Sequence, residues 1–411
     1  MENGKRRGPV LCISIDAVSP DDLDRILAHP CLDGLAERGS RVREMRTVAP
    51  SLTYPAHATI LTGRRPASHG VVNNEVDPPS GFDWDWNWYR RLVRGDTFPD
   101  AVHRAGFRVA TLLWPTLAGA RLDWVLPEIA ASAKLRENLT RKVLRNGSPL
   151  FLLLSELKYG SLRRGMHQPW LDDYAAALAV DLLRRRRGPD LLLLHLVSVD
   201  DAKHHAGIHA FATREACDRT AGRLSRILAA AGPDATLLLF GDHAQIDVHS
   251  GLDPVGRLAA AGLSVRVHDA GAGAFLYPEA GYLPERDDAR LEALLAAWRD
   301  EPDGGLRGWL DRAGMAAERT GDGAAMALLD AADGFAFALD EGNLATHGHL
   351  PDHPGISTTL FTAGSGIRAG LTAARGDLAD IAPTVAALFG VPFDGAEGAP
   401  LPFLELKEVP R

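Results

Sequence analysis

Leu191-Leu192-Leu193-Leu194-His195-Leu196-Val197-Ser198-Val199-Asp200-Asp201-Ala202-Lys203-His204 is the stretch that decides the fold. Its apolar run, Leu191–Val199, has strand length and falls far short of a bilayer. It is almost continuous in Leu and Val, as expected of a strand covered on both faces. Val10-Leu11-Cys12-Ile13-Ser14-Ile15 and Ala235–Phe240 read the same way, and Arg108–Leu113 and Ile356–Thr362 are two further strand candidates. Helix starts lie between them. Ser19-Pro20-Asp21-Asp22 is an N-cap with Pro at the first helical position, and Thr97-Phe98-Pro99-Asp100 resembles a capping box. Strands alternating with helices predict an α/β three-layer sandwich around a mostly parallel sheet.

Three of these strands run into an acid: Ile15 into Asp16, Val199 into Asp200, and Phe240 through Gly241 into Asp242. In open α/β sheets ligands bind beyond the carboxyl ends of the strands, so the three acids converge on one rim. His204 lies four positions after Asp200, on the same face of a helix if one starts there. His243 follows Asp242 directly, and His347 stands in the loop-like Thr346-His347-Gly348-His349. Asp oxygens and His nitrogens suit Zn²⁺ or Mn²⁺. Any one of these histidines is unremarkable, but the set together points to metal. Three carboxylates on one rim repel one another unless cations sit among them.

Pro50-Ser51-Leu52-Thr53-Tyr54-Pro55-Ala56-His57-Ala58-Thr59-Ile60-Leu61-Thr62-Gly63 predicts a helix beginning near Thr53. A helix N-terminus favours phosphate. Thr53 is either a structural cap or a nucleophile, and spacing alone leaves the two even.

Together these residues resemble the alkaline phosphatase superfamily, and most closely its nucleotide pyrophosphatase/phosphodiesterase branch. The carrying motifs are Ile15-Asp16; Pro50–Gly63 continuing through Pro66, His69-Gly70 and Asn73-Asn74; Asp200 to Gly207; Gly241-Asp242-His243-Ala244; Thr346-His347-Gly348; and Asp380 to Gly390. They span 15–390 in the family's order. The resemblance implies two divalent ions, zinc with manganese as the alternative. Asp200, His204 and His347 would hold one; Asp16, Asp242, His243 and the Thr53 oxygen would hold the other. It also implies that Thr53 is the nucleophile, forming a phospho-threonine intermediate, and that Asn74 donates to a phosphoryl oxygen, with Asn73 its neighbour. The implied activity is hydrolysis of phosphodiester or pyrophosphate bonds in small nucleotide-like substrates. A phosphomonoesterase or phosphonate hydrolase is the alternative, and a non-catalytic binding protein ranks below both. The chain departs from the family pattern at Lys203 (usually Gly), Gly241 (usually Ser) and Ala244-Gln245 (usually Gly-Met). None of these is a proposed ligand.

The 411 residues allow two or three structural units. Segments 9–250 and 342–400 are expected to form the catalytic core, with a helical insertion at about 116–185; 251–341 is expected to be an inserted cap. Arg184–Arg187 reads as the solvated end of a helix before Gly188-Pro189. Trp84-Asp85-Trp86-Asn87-Trp88-Tyr89 packs a long loop on the core or offers a stacking surface, with packing preferred. His167, His205, His209 and His249 are further candidates for lining a pocket. A 46% hydrophobic content excludes a wholly disordered chain, and a net charge of −8 argues against nucleic-acid polymers as partners. Cys12, Cys31 and Cys217 are too few and too scattered for a disulfide framework. With no signal or membrane segment recognised, the expectation is a cytoplasmic protein without a membrane partner.

Overall fold

The computed structural model describes residues 8–76, 86–130, 138–165 and 167–405. Its strands are β1 (Val10–Ile15), β2 (Gly39–Arg46), β3 (Val109–Trp114), β4 (Trp124–Pro127), β5 (Leu191–Leu196), β6 (Thr236–Phe240), β7 (Ile246–Gly251), β8 (Val265–Ala270), β9 (Gly273–Pro278), β10 (Leu306–Asp311), β11 (Ala327–Ala331), β12 (Gly334–Ala336), β13 (Ala345–Thr346), β14 (Thr358–Gly364) and β15 (Thr372–Asp377). Its α-helices are α1 (Pro20–Leu27), α2 (Thr53–Thr62), α3 (Pro66–His69), α4 (Phe98–Arg104), α5 (Leu139–Asn146), α6 (Pro149–Tyr159), α7 (Trp170–Leu183), α8 (Ser198–Ala206), α9 (Phe211–Ala231), α10 (Pro254–Ala260), α11 (Pro284–Arg299), α12 (Arg312–Glu318) and α13 (Ile381–Phe389).

The central sheet runs β15-β2-β14-β6-β1-β5-β3-β4. β14 is antiparallel to both its neighbours and every other adjacent pair is parallel. Alternate residues of the inner strands enter opposite layers, as the period of two demands. Leu11, Ile13, Leu192 and Leu194 pack with Leu23 of α1, Leu178 of α7 and Leu224 of α9. Val10, Cys12, Leu191 and Leu193 pack with Ile60 of α2, Phe98 of α4 and Val385 of α13. This is the expected three-layer α/β sandwich.

Two expectations need adjustment. β5 stops at Leu196 rather than running on to Val199. Asp172 accepts the backbone N–H groups of Val197 and Ser198 at 2.9–3.1 Å and so starts α8, which leaves Asp200 in that helix's first turn. The segment at 116–185 is helical over α5–α7, but it also supplies the edge strand β4. One face of α7, carrying Tyr174, Ala175, Leu178 and Leu182, is part of the main core. Its Arg-rich end masks that buried face in the sequence.

Residues 252–337 form a second, four-stranded sheet, β10-β11-β9-β8, all antiparallel. It has its own apolar cluster around Leu276, Leu295, Trp298 and Leu329. Its β8–β9 turn is brought to the rim of the central sheet. There Gly348 has φ +106°, and a Cβ on it would meet the Ala270 carbonyl oxygen at 1.8 Å, so only glycine fits behind His347. No helix among the described residues is long and apolar enough to cross a membrane.

Candidate active site

At the carboxyl ends of β1, β5 and β6 the structure gathers the residues singled out in the sequence. Asp16 follows β1, and its N–H donates to the Leu196 carbonyl at 2.9 Å. Ala17, in the left-handed region at φ +57°, turns its N–H onto Asp242 Oδ1 at 3.2 Å. Asp16, Asp242 and His243 form one buried group, and Asp200, His204 and His347 form a second; within each, the ligand atoms lie within 4.8 Å of one another. The groups adjoin, because the rings of His243 and His347 stack with centroids 4.0 Å apart. Thr53 Oγ1 lies 3.2 Å from His243 Nε2.

The hydrogen bonds fix which nitrogen each histidine presents. His204 Nδ1 donates to the Ala345 carbonyl (2.7 Å), His347 Nδ1 to that of Ser51 (3.1 Å) and His243 Nδ1 to that of Ala244 (3.2 Å). A carbonyl only accepts, so each Nδ1 carries the proton and each Nε2 is left for its group. His204 Nε2 lies 3.4 Å from Asp200 Oδ1, and His243 Nε2 lies 3.3 Å from Asp242 Oδ2. Asp16 Oδ1 and Asp242 Oδ2 are buried without a hydrogen-bond partner. Carboxylates and imidazole lone pairs aimed at a common point, oriented by backbone carbonyls, are the donor set of a divalent-cation site. The residues fit two ions.

The electrostatics agree. Burial, reinforced by the Asp200 charge, pushes the Asp16 carboxyl well above the usual carboxylate range. Burial and then the Asp16 charge do the same to Asp242. Burial would also raise Asp200, but His204 outweighs it and holds that carboxyl well down. Burial disfavours charge on His204, but Asp200 wins and lifts the imidazole to about 9. Burial drops His347 to about 4.

Thr53 opens α2, yet its side chain caps nothing, because the N-cap is Leu52. Thr53 therefore does not serve as the cap of α2. The helix terminus offers fewer donors than the sequence suggests: Pro55 has no N–H, and that of Tyr54 donates to Asn74 Oδ1 at 3.0 Å. That bond turns Asn74 so that its amide N–H₂ remains for another acceptor. Asn73 is occupied elsewhere, donating to the Asp269 carbonyl at 2.8 Å.

These residues line a cleft of about 580 Å³, with Trp86, Glu128 and His205 among its walls. Trp86 meets Tyr54 edge-on, at 5.4 Å between centroids. Trp88 and Tyr89 are buried in a cluster with Tyr54 and Ala58 of α2, Val71 and Ala118, the preferred packing reading. Trp84 and Asp85 lie outside the described residues. Of the four further histidines only His205 lines the cleft; His167, His209 and His249 do not.

Two histidines assigned no role in the sequence also border the cluster. His195 interrupts the leucines of β5. Its Nδ1 donates to the Leu113 carbonyl (3.2 Å) and its Nε2 lies 3.2 Å from Asp16 Oδ2. His57 Nδ1 lies 2.8 Å from the Thr53 carbonyl and 3.5 Å from Asp242 Oδ2. A lone imidazole inside an all-aliphatic buried strand was the signal for His195.

The type I phosphodiesterase/nucleotide pyrophosphatase family model matches residues 10–353. The chain belongs to that family. An uncharacterized pyrophosphatase/phosphodiesterase of Schizosaccharomyces pombe is 35% identical over 116 residues, 26% of this chain and 23% of the yeast protein. Rat ectonucleotide pyrophosphatase/phosphodiesterase family member 1 is 28% identical over 109 residues, 24% of this chain and 12% of the rat protein. The chain thus matches under a quarter of the length of these curated relatives. Murine ectonucleotide pyrophosphatase/phosphodiesterase 5 shares the fold, with a TM-score of 0.70 at 15% identity over 96% of this chain and 98% of the murine one.

The departures from the family's motifs have local explanations. Lys203 is buried and donates to the Ala17 carbonyl (2.8 Å) and Asp22 Oδ2 (2.5 Å), tying α8 to the turn that carries Asp16. A Cβ at Gly241 would meet Thr358 Oγ1 at 2.2 Å, which excludes serine here. Gln245 Nε2 donates to Asp200 Oδ1.

Proposed function

We propose that the protein is a two-metal hydrolase that cleaves phosphodiester or pyrophosphate bonds of small nucleotide-like molecules through a phospho-threonine intermediate. One observation carries this reading: Thr53 Oγ1 stands 3.2 Å from His243 Nε2, against two adjoining Asp/His groups. Asp200, His204 and His347 hold one ion; Asp16, Asp242 and His243, with Thr53, hold the other. The mixed Asp/His donors favour zinc, with manganese second. When bound, such a pair of ions acts as a Lewis acid on attacking and leaving oxygens and lowers the pKa of a hydroxyl or water.

The chain's own residues do the positioning. Thr53 Oγ1 attacks phosphorus as the leaving oxygen departs from the opposite side, and water then releases Thr53 in a second displacement. Asn74, fixed through its Oδ1 by the Tyr54 N–H, donates its Nδ2 protons to a phosphoryl oxygen. The positive end of α2 favours the same charge. A structural neighbour, murine ectonucleotide pyrophosphatase/phosphodiesterase 5 with a threonine replaced by alanine, is described as inactive and in complex with AMP. That complex supports a threonine nucleophile and a nucleotide-like ligand here. The three free cysteines support a reducing, cytoplasmic setting.

The test is a panel assayed with zinc or manganese: bis-p-nitrophenyl phosphate, a dinucleotide pyrophosphate, p-nitrophenyl phosphate and a phosphonate. Diester or pyrophosphate turnover far above the other two is expected. Fastest turnover of the monoester or the phosphonate would instead select the alternative hydrolase reading. Metal binding with no turnover of any of the four would argue for a binding role.

A further inference from the structure

The face of α6 that points away from the core is apolar. Leu150, Leu153, Leu154 and Leu157 are 69%, 56%, 52% and 76% exposed. They stand at i, i+3, i+4 and i+7, which gathers them into one stripe along the helix. Phe151, Leu152 and Ser155 occupy the opposite side and are buried, so the helix is already anchored without the stripe. An exposed row of leucines of this length marks a contact surface.

Its surroundings are strongly basic. Residues 138–188 carry ten Lys/Arg against four Asp/Glu, in a chain whose net charge is −8; of the ten, Lys142 is buried over the Trp88 ring. All four acids are already engaged. Asp181 pairs with Lys158 (2.5 Å) and Arg185 (2.7 Å), and Glu156 with Arg163 (2.8 Å). Buried Asp172 and half-buried Asp173 both face Arg223. Arg184, Arg186 and Arg187 are exposed and make no ion pair among the described residues. Arg184 and Arg185 line the same surface groove as Leu154 and Leu157, so charge and apolar stripe share one face.

We infer that this face docks on an anionic lipid surface, with α6 lying in the plane of the interface. A helix of 11 residues is too short to span a bilayer, but it can bury a leucine stripe at the headgroup boundary while flanking arginines meet lipid phosphates. Charge decides between this occupant and a second copy of the chain. Two copies joined through α6 would bring two arginine-rich surfaces together, whereas an anionic bilayer neutralises them. The Arg184–Arg187 run, solvated in isolation, then has a counter-surface.

The test is co-sedimentation of the full metal-loaded chain with phosphatidylcholine vesicles, with and without phosphatidylglycerol. Binding is expected to the phosphatidylglycerol vesicles only and to weaken as salt rises. Leu153→Ser with Leu157→Ser should reduce partitioning roughly tenfold or more. Arg184→Gln with Arg186→Gln and Arg187→Gln should weaken it comparably. All five sites are exposed, and an unchanged thermal midpoint establishes that the variants fold. Absence of binding to anionic vesicles overturns the inference, as does binding that neither variant alters. A dimer in light scattering that the leucine variant turns into monomer also overturns it, by assigning the stripe to a second copy.

Discussion

The two Asp/His groups differ in depth, and the difference separates their roles. Asp16, Asp242 and His243 are buried behind Thr53, whereas Asp200 and His204 are partly open to the cleft and only His347 of their group is buried. In the deep group burial pushes both carboxyls toward neutrality, and the histidines facing them, His204 for Asp16 and His195 for Asp242, offset it only in part. In the shallow group Asp200 and His204, one helical turn apart, stabilise each other's charges. Without ions, the deep group is an electrostatic strain and the shallow one an ion pair. Under the proposed mechanism, an ion in the deep group would face Thr53, and one in the shallow group would stand at the cleft mouth where a leaving group or water would arrive. Their burial therefore teaches which ion should be harder to remove.

The sharpest test of this contrast is Thr53→Ala. It removes the attacking oxygen from the deep group while leaving three charged or imidazole ligands there. Turnover of a phosphodiester should fall by roughly 10⁴-fold or more with both ions retained by elemental analysis. Wild-type turnover would remove Thr53 from the chemistry. Next come two matched substitutions. Asp242→Asn should abolish binding of one ion yet leave the metal-free protein as stable as before or more so, because a strained buried carboxyl is gone. Asp200→Asn should also lose an ion, but it should cost the metal-free protein about 2 kcal/mol by leaving His204 without its partner. Thermal scans with chelator present distinguish the two, and equal effects would erase the proposed contrast. A smaller separation concerns the paired asparagines. Asn74→Ala should lower kcat by roughly 10²-fold with KM little changed, as for loss of one charge-stabilising donor. Asn73→Ala, whose amide holds the β8–β9 turn through Asp269, should act mainly on stability. A larger kcat loss for Asn73 would reverse the assignment.

Much of this was legible because it is local. Apolar runs ending in Asp16 and Asp242 fix strand ends, and the four-residue step from Asp200 to His204 fixes a helix face. The exact end of β5 was not legible, since the carboxylate that starts α8 is Asp172, 26 residues upstream of Ser198 and one strand away. Nor was the role of the 116–185 segment. β4 is a short edge strand, and α7 carries buried Asp172 and Tyr174 on an otherwise alanine-rich face. Residues 252–337 were not read as a sheet because only β8 and β9 are joined by a tight turn, at Gly271-Ala272, whereas α11 and α12 separate β9, β10 and β11 in sequence and no hairpin signal links those three. At the site, the ligand types could be read but not the tautomers. Those depend on the carbonyls of Ser51, Ala244 and Ala345, and backbone acceptors leave no mark on sequence.

The smallest expected effect is the pH dependence of the metal-free protein. His204 is lifted from its ordinary 6.5 to about 9 when folded, so its stabilisation is complete below pH 6.5 and is lost as pH rises through 9. Asp16 and Asp242 have raised carboxyls, and their contribution has the same sign: they are tolerated while protonated and penalised as pH climbs through their raised values. Asp200 is held down, so its stabilisation is lost only in acid, outside this window. His204 therefore makes metal-free stability fall between pH 6.5 and 9, by on the order of 2 kcal/mol after allowing for its partial exposure, and the raised carboxyls act with the same sign. Bound ions invert the slope, because they require the deprotonated ligands that rising pH supplies. The gap in Tm between metal-loaded and chelated protein should thus widen from pH 6.5 to 9, as read by scanning calorimetry. A metal-free Tm that climbs with pH would show that the shallow pair is not charged in the folded protein, and that depth alone does not set the two groups apart.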